Sequence, residues 1–401
     1  MTATALLEAC NAPLNAFLAF DEGAAAGEGV LTGVTLGVKA NIMVRGMPFH
    51  AGLEAFSNRI AERDASVVAA LRREGAEVLG ILNMEEAAFG SKTDNPWSGA
   101  TQNPHRLGFS PGGSSGGSGA AVAAGLCDLA LGSDTMGSVR IPAAHCGIYG
   151  FKPATDRISQ DGLEPADLSL DAIGLLSRDL ALLERAARVM SDVGEEPIMG
   201  SGATLDAHGV ECHPAVERAF VRALSALDQA PRRARLSHPN SRIRYAGFIS
   251  VARALGARLE GVAFSTRLRH LLGYGARRDA GKWEEDRRIL GAAREEVAAI
   301  VDEFGFLIMP TVPNPPFAHA EDEPAAQADF TCLANIAGLP ALTLPMGRTE
   351  DALPLGVQLV GPAGCEAGLF ALGRQLHETL HAYFPPSDFI DLTHETQGES
   401  P

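Results

Sequence analysis

The segment Leu131-Gly-Ser-Asp134-Thr135-Met136-Gly137-Ser138-Val139-Arg140 reads as the end of an apolar strand feeding a tight turn. A serine on such a turn exposes its hydroxyl, and the N–H groups just before it can converge on one point. Those are the parts of a nucleophile beside an oxyanion hole. A serine hydroxyl is a weak nucleophile and needs a base. Gly37-Val38-Lys39-Ala40-Asn41-Ile42 offers one, a lone lysine directly after an apolar strand, where burial favours the neutral amine.

A third segment, Ser110-Pro-Gly-Gly-Ser114-Ser115-Gly-Gly-Ser118-Gly-Ala-Ala, packs glycines and serines ahead of a helix of small residues. Such a loop lets backbone approach a ligand and turns N–H groups towards a helix N-terminus. A phosphate loop needs Lys then Ser or Thr after the glycines, whereas Gly119 and Ala120 follow Ser118. A dinucleotide fingerprint needs an acidic residue ending the next strand, whereas Asp134 lies in another Gly/Ser turn. Both nucleotide readings weaken, and the apolar segments on either side argue against a flexible linker.

These three segments must be positioned by the elements around them. Apolar runs at Thr35–Val38, Glu77–Leu82 and 128–132 alternate with helical patterns at Ala65–Glu74 and 116–125, the rhythm of an α/β fold with a mixed, mostly parallel central sheet covered by helices on both faces. Ser177 is a candidate N-cap for a helix through Met190. His213–Leu227 reads as an amphipathic helix, and 253–300 as a charged helical region. Segments 192–209 and 230–242 read as loops, while 306–309, 341–344 and 355–360 read as further strands.

With 401 residues and 46% hydrophobic content the chain can fill a sizeable core, here expected as one domain over 1–401. Its net charge of −16 opposes direct binding of nucleic acid or an anionic membrane. The longest alanine-rich apolar run, 119–130, is too short to span a bilayer. Residues 1–15 lack the basic start of a secretory signal, so the expected compartment is the cytoplasm. Six scattered cysteines suit reduced, structural thiols rather than a disulfide frame or a zinc site.

Together the three segments resemble the amidase signature family, with further matches at Asn103-Pro104-His105, Gly150-Phe-Lys-Pro153, Ser169-Leu-Asp171, Asn335-Ile-Ala-Gly338-Leu-Pro340 and Leu355-Gly-Val-Gln358. The likeness covers core motifs at 32–177 and 306–375 and leaves a variable pocket region at 192–305. It implies an amidohydrolase acting on a small-molecule amide without metal or cofactor. Ser138 would be the nucleophile, Ser114 a bridging serine after a cis peptide bond, and Lys39 the base. N–H groups of Thr135, Met136, Gly137 and Ser138 would hold the oxyanion, and Ser115 would join the hydrogen-bond network. Ala88 and Phe89 would wall the acyl pocket, while Asp134 and Arg140 would pair to brace the turn.

Three departures bear on substrate and assembly. Met136 stands where a glycine or small residue is usual, Ala40 replaces a common acidic residue, and only 38 residues precede Lys39. A shortened N-terminus leaves a homodimer open. Two alternatives remain: the amidase subunit of a glutamine-dependent transfer-RNA amidotransferase, and an inactive amidase-fold interaction subunit.

Overall fold

Strand-forming runs rich in Leu, Ile and Val account for the centre of the molecule. The structure, a computed structural model, describes residues 3–21, 27–206 and 208–387; the ends of the expected 1–401 domain lie outside the described residues. Its strands are β1 (Phe17–Phe20), β2 (Thr35–Lys39), β3 (Glu77–Leu82), the small hairpin β4 (Asp94–Asn95) and β5 (Gly99–Ala100), β6 (Leu129–Asp134), β7 (Tyr149–Lys152), β8 (Ala172–Ser177), β9 (Ala203–Leu205), β10 (Arg232–Ala234), β11 (Leu307–Pro310), β12 (Ala341–Arg348) and β13 (Pro354–Val360). All but the hairpin join one sheet in the order β1-β3-β2-β6-β8-β7-β12-β13-β11-β9-β10.

The helices are α1 (Ala3–Asn11), α2 (Ser66–Arg73), α3 (Gly116–Ala123), α4 (Arg140–His145), α5 (Leu180–Met190), α6 (Pro214–Ser225), α7 (Asn240–Arg258), α8 (Thr266–Ala276), α9 (Ala280–Phe304), α10 (Cys332–Ala337) and α11 (Glu366–Leu380). Alternate residues of β6 serve the two faces of the sheet. Leu129 and Leu131 join the core under α2, α5, α6 and α11, while Ala130 joins the core under α3 and α4. A third core lies among α7, α8, α9 and α10.

The α/β class and the mixed sheet agree with the sequence reading. Parallel pairing is confined to β3-β2-β6 and β11-β9-β10, and the strands from β6 through β8, β7, β12 and β13 to β11 pair antiparallel. The sheet therefore carries more antiparallel junctions than a mostly parallel reading implies. Short connections such as the one between β12 and β13 can link only antiparallel neighbours.

Two segments read as loops hold the short strands β9 and β10 at the edge of the sheet. Arg232-Arg233-Ala234 has no apolar alternation, and only Ala234 is buried. Asp179, rather than Ser177, caps α5, its carboxylate accepting from Ala181 N at 2.7 Å and Leu182 N at 3.1 Å. Ser177 instead ends β8, and its hydroxyl donates to Asp128 O at 3.0 Å. The six cysteines are unpaired. Among the described residues no helix is long and apolar enough to cross a membrane.

Candidate active site

Adjacent parallel strands bring their C-terminal ends to one edge of a sheet, where α/β proteins place their ligands. Here β3, β2 and β6 deliver Asn83–Ala88, Lys39 and Asp134–Ser138 side by side, with Val38 opposite Leu131 and Lys39 opposite Leu82. The Gly/Ser loop packs against these strand ends. Ser115 stands at the N-cap position of α3, and the peptide bond between Gly113 and Ser114 is cis.

Lys39 is wholly buried. Its Nζ lies 2.7 Å from Ser114 Oγ and 2.9 Å from Ser133 Oγ. Burial lowers its pKa from 10.5 to about 7, against smaller upward pulls from Asp171, Asp134 and Glu85. The amine is therefore half neutral near neutrality, the state a base requires. The Gly/Ser loop and the nucleophile's turn are tied by backbone, with Ser115 N donating to Ser138 O at 3.2 Å. The Ser138 hydroxyl opens onto the cavity, and among the described residues it makes no hydrogen bond, to Ser114 or to any other group. The structure thus forms the Lys39–Ser114 link and leaves the Ser114–Ser138 link unmade.

The turn is shaped by Asp134. Its carboxylate accepts from Gly137 N at 2.8 Å and Val139 N at 3.2 Å, and Arg140 grips it through Nε at 3.0 Å and Nη2 at 2.9 Å. Burial alone would raise this carboxyl, but the guanidinium beside it holds it well below the usual range. Arg140 in turn donates to Gln358 Oε1 at 2.9 Å and Asn335 Oδ1 at 2.6 Å, all fully out of solvent. Gly137 has φ of +128° and a β-carbon there would come within 2.1 Å of Thr331 Oγ1, so only glycine fits.

Because Gly137 N–H is engaged by Asp134, the amides left without a partner among the described residues are those of Thr135, Met136 and Ser138. The Thr135 hydroxyl donates to Asp171 Oδ1 at 2.5 Å, and burial pushes Asp171 up to about 7. Met136 lines the same cavity as Ser138 and reaches towards α7, its methyl 3.0 Å from where a β-carbon on Gly247 would stand. A glycine on the facing helix thereby accommodates the bulk that a glycine in the turn would have avoided. Ser115 Oγ donates to Ser133 O at 3.3 Å.

The cavity over Ser138 measures about 1010 Å3 and is lined by Ala88 and Phe89, by α7, by α8 and by the loop 322–328. The residues of α7 and α8 on this wall fall within 192–305, and 322–328 lies in the connection after β11. Ala87 and Ala88 hold left-handed φ values of 53° and 58°, a conformation that costs a non-glycine residue on the order of 1 kcal/mol or more and clusters at functional sites. Arg267 is clamped between Glu85 Oε1 at 2.9 Å and Glu323 Oε2 at 2.6 Å. Arg244 lines the cavity and donates to Asp329 at 2.5 Å, while Arg242 and Arg278 pair with Asp286 and Arg277 lies over Tyr274. Gln327 is 2% exposed, lines the cavity, and has neither amide atom partnered among the described residues. An orphaned buried polar group costs about 1–3 kcal/mol.

Sequence reading missed Ser133, Gln327 and the clasp of Asn335 and Gln358 on Arg140. Ser133, Asn335 and Gln358 sit inside quoted motifs, so a signal existed; their partners lie across the sheet, which spacing does not reveal. Gln327 carried no signal.

The amidase family profile matches residues 3–197 and 203–370. The chain is similar to the A subunit of glutamyl-tRNA(Gln) amidotransferase from Methanothermobacter thermautotrophicus, at 33% identity over 92% of this chain and 93% of that relative. Among solved structures it resembles the corresponding protein from Thermotoga maritima, with a TM-score of 0.84, 26% identity, and 95% and 93% of the two chains covered. It also resembles a chain from an inhibitor-bound vestigial complex that bears on the origins of an s-triazine catabolic enzyme, with a TM-score of 0.86, 27% identity, and 94% and 93% covered.

Proposed function

The chain belongs to the amidase family, and on that premise we propose that it breaks an amide C–N bond through an acyl-enzyme on Ser138. The observation that carries this reading is a buried lysine amine, half neutral near pH 7, held 2.7 Å from the Ser114 hydroxyl. As Ser138 Oγ bonds to the amide carbon, its proton passes to Ser114, and the Ser114 proton passes to Lys39 Nζ. The carbonyl oxygen gains charge and is met by the unengaged N–H groups of Thr135, Met136 and Ser138. Lys39 then returns the proton through Ser114 to the nitrogen, the C–N bond breaks, and the amine leaves. Water attacks the ester by the same relay and frees Ser138. Substrate approach must draw the Ser114 and Ser138 hydroxyls together, since such contacts tighten in the reacting complex.

A panel of short aliphatic amides, aryl amides, carboxylated ureas and glutamine, assayed for ammonia or amine release, tests the reading. At least one amide is expected to turn over with the intact chain and none with Ser138→Ala. Equal release by both proteins would end it.

The relatives named for glutamyl-tRNA(Gln) amidotransferase support a second reading, and do so more directly than they support free-standing hydrolysis. In it glutamine is the amide donor and the ammonia passes to a partner protein. Glutamine turnover that appears only when partner proteins copurify would favour this form; turnover of other amides by the chain alone would favour the first.

A further inference from the structure

The cavity over Ser138 has one unusual polar feature and one unusual wall. Gln327 is buried beside it with a carbonyl oxygen and an NH2 group that no other described residue satisfies. Buried polar groups are nearly always paired, so an orphan of this kind points to a missing partner. The segment carrying it is fixed against the nucleophile's turn: Cys332 N donates to Ala328 O at 3.0 Å, and Thr331 Oγ1 donates to Met136 O at 2.7 Å. The wall is aromatic. Phe89 and Phe248 stack 5.1 Å apart at 14°, and Tyr274 meets Phe248 edge-on at 5.8 Å.

The cavity's cations are engaged. Arg267 has both arms of its fork on Glu85 and Glu323, Lys92 donates to His319 O at 2.7 Å and Glu321 O at 3.0 Å, and Arg244 meets Asp329. Arg244 meets Asp329 through Nε alone, so beside its remaining N–H groups the pocket offers a ligand a π surface and one carboxamide seeking a donor and an acceptor at once. Resting on the reading of Ser138 as an amidase nucleophile, we propose that the substrate is an aromatic amide carrying a second carboxamide or an equivalent donor–acceptor edge, and that Gln327 is the residue that selects it.

The test measures binding and turnover separately. Calorimetry on Ser138→Ala compares benzene-1,4-dicarboxamide, 4-isopropylbenzamide and glutamine. The dicarboxamide is expected to bind on the order of 10–100-fold more tightly than the isopropyl compound, the worth of a hydrogen-bonded pair, and more tightly than glutamine. Adding Gln327→Leu, or Gln327→Met should the first fold poorly, should erase that ratio while leaving the thermal midpoint unchanged or raised. Equal binding of the two aryl amides, no binding of either, tighter binding of glutamine, or a preference that survives both substitutions would overturn the proposal. Binding preference without amide release by the intact chain would leave Gln327's assignment standing and end the amidase reading; release without the preference would do the reverse.

Discussion

Lys39→Met is expected to lower amide turnover by roughly 10^4–10^6-fold, the scale seen when one member of a concerted nucleophile–base unit is removed, and at the same time to make the protein more stable. The sign follows from burial. Lys39 has a folded pKa of about 7 against an ordinary 10.5, so folding disfavours its charged form. The penalty is fully present below about pH 7 and is lost as pH rises towards the ordinary value, and near pH 7 it amounts to roughly 4 kcal/mol. Methionine fills similar space without a charge. It orphans the Ser114 hydroxyl, whereas Ser133 Oγ keeps the hydrogen bond from Asn41 Nδ2 at 2.9 Å, so only part of the gain is offset and a net stabilisation of about 1–3 kcal/mol remains at pH 7. Denaturant unfolding of both proteins at neutral and alkaline pH checks this. The wild type should gain stability relative to the variant as pH rises above 7, and a variant less stable than the wild type at every pH would refute the burial argument.

Arg140→Met is expected to cost about 3–5 kcal/mol, because it leaves Asp134 charged and unpaired where no water reaches it. Three side chains lose their shared partner together, since Arg140 joins Asp134, Asn335 and Gln358. Asp134 also holds Gly137 N and Val139 N, so the turn that carries Ser138 should loosen and turnover should fall with stability. The unfolding midpoint in urea measures the first effect and ammonia release the second. The double variant Arg140→Met with Asp134→Asn should recover part of the stability, as it removes the stranded charge. A single variant within about 0.5 kcal/mol of the wild type, the range of ordinary surface substitutions, would mean that the clasp is not what holds the turn.

Much of this architecture is legible in the sequence. Glu77–Leu82 stands out there as a strand with the bounds β3 has in the fold, because Val78, Leu79, Ile81 and Leu82 make an apolar run that follows a helical pattern. Lys39 stands out for the same reason: an isolated charge at the end of an apolar run has to be buried or paired. β9 and β10 escaped because three-residue edge strands draw their register from neighbours rather than from their own pattern. The cap of α5 moved from Ser177 to Asp179 because the sheet extends β8 through Ser177, leaving the next acidic side chain to receive the helix's first amides. Ser133 was hidden by its place inside β6, where alternation turns its hydroxyl towards Lys39, a fact of strand pairing that no linear spacing encodes. The pocket was least legible of all, since its walls come from α7, α8 and the loop after β11, each with chemistry that depends on what faces it.

Activation of Ser138 by a neutral Lys39 amine, passed through Ser114, is the step on which the chemistry stands. The decisive experiment follows the rate at which a fluorophosphonate modifies Ser138 as pH is varied, read by mass spectrometry of the peptide that carries it. In the intact protein the rate should climb with pH and reach half its plateau near the Lys39 value of about 7, and both Ser114→Ala and Lys39→Met should remove that rise. A rate that does not change with pH, or an adduct on a residue other than Ser138, would show that the relay does not operate.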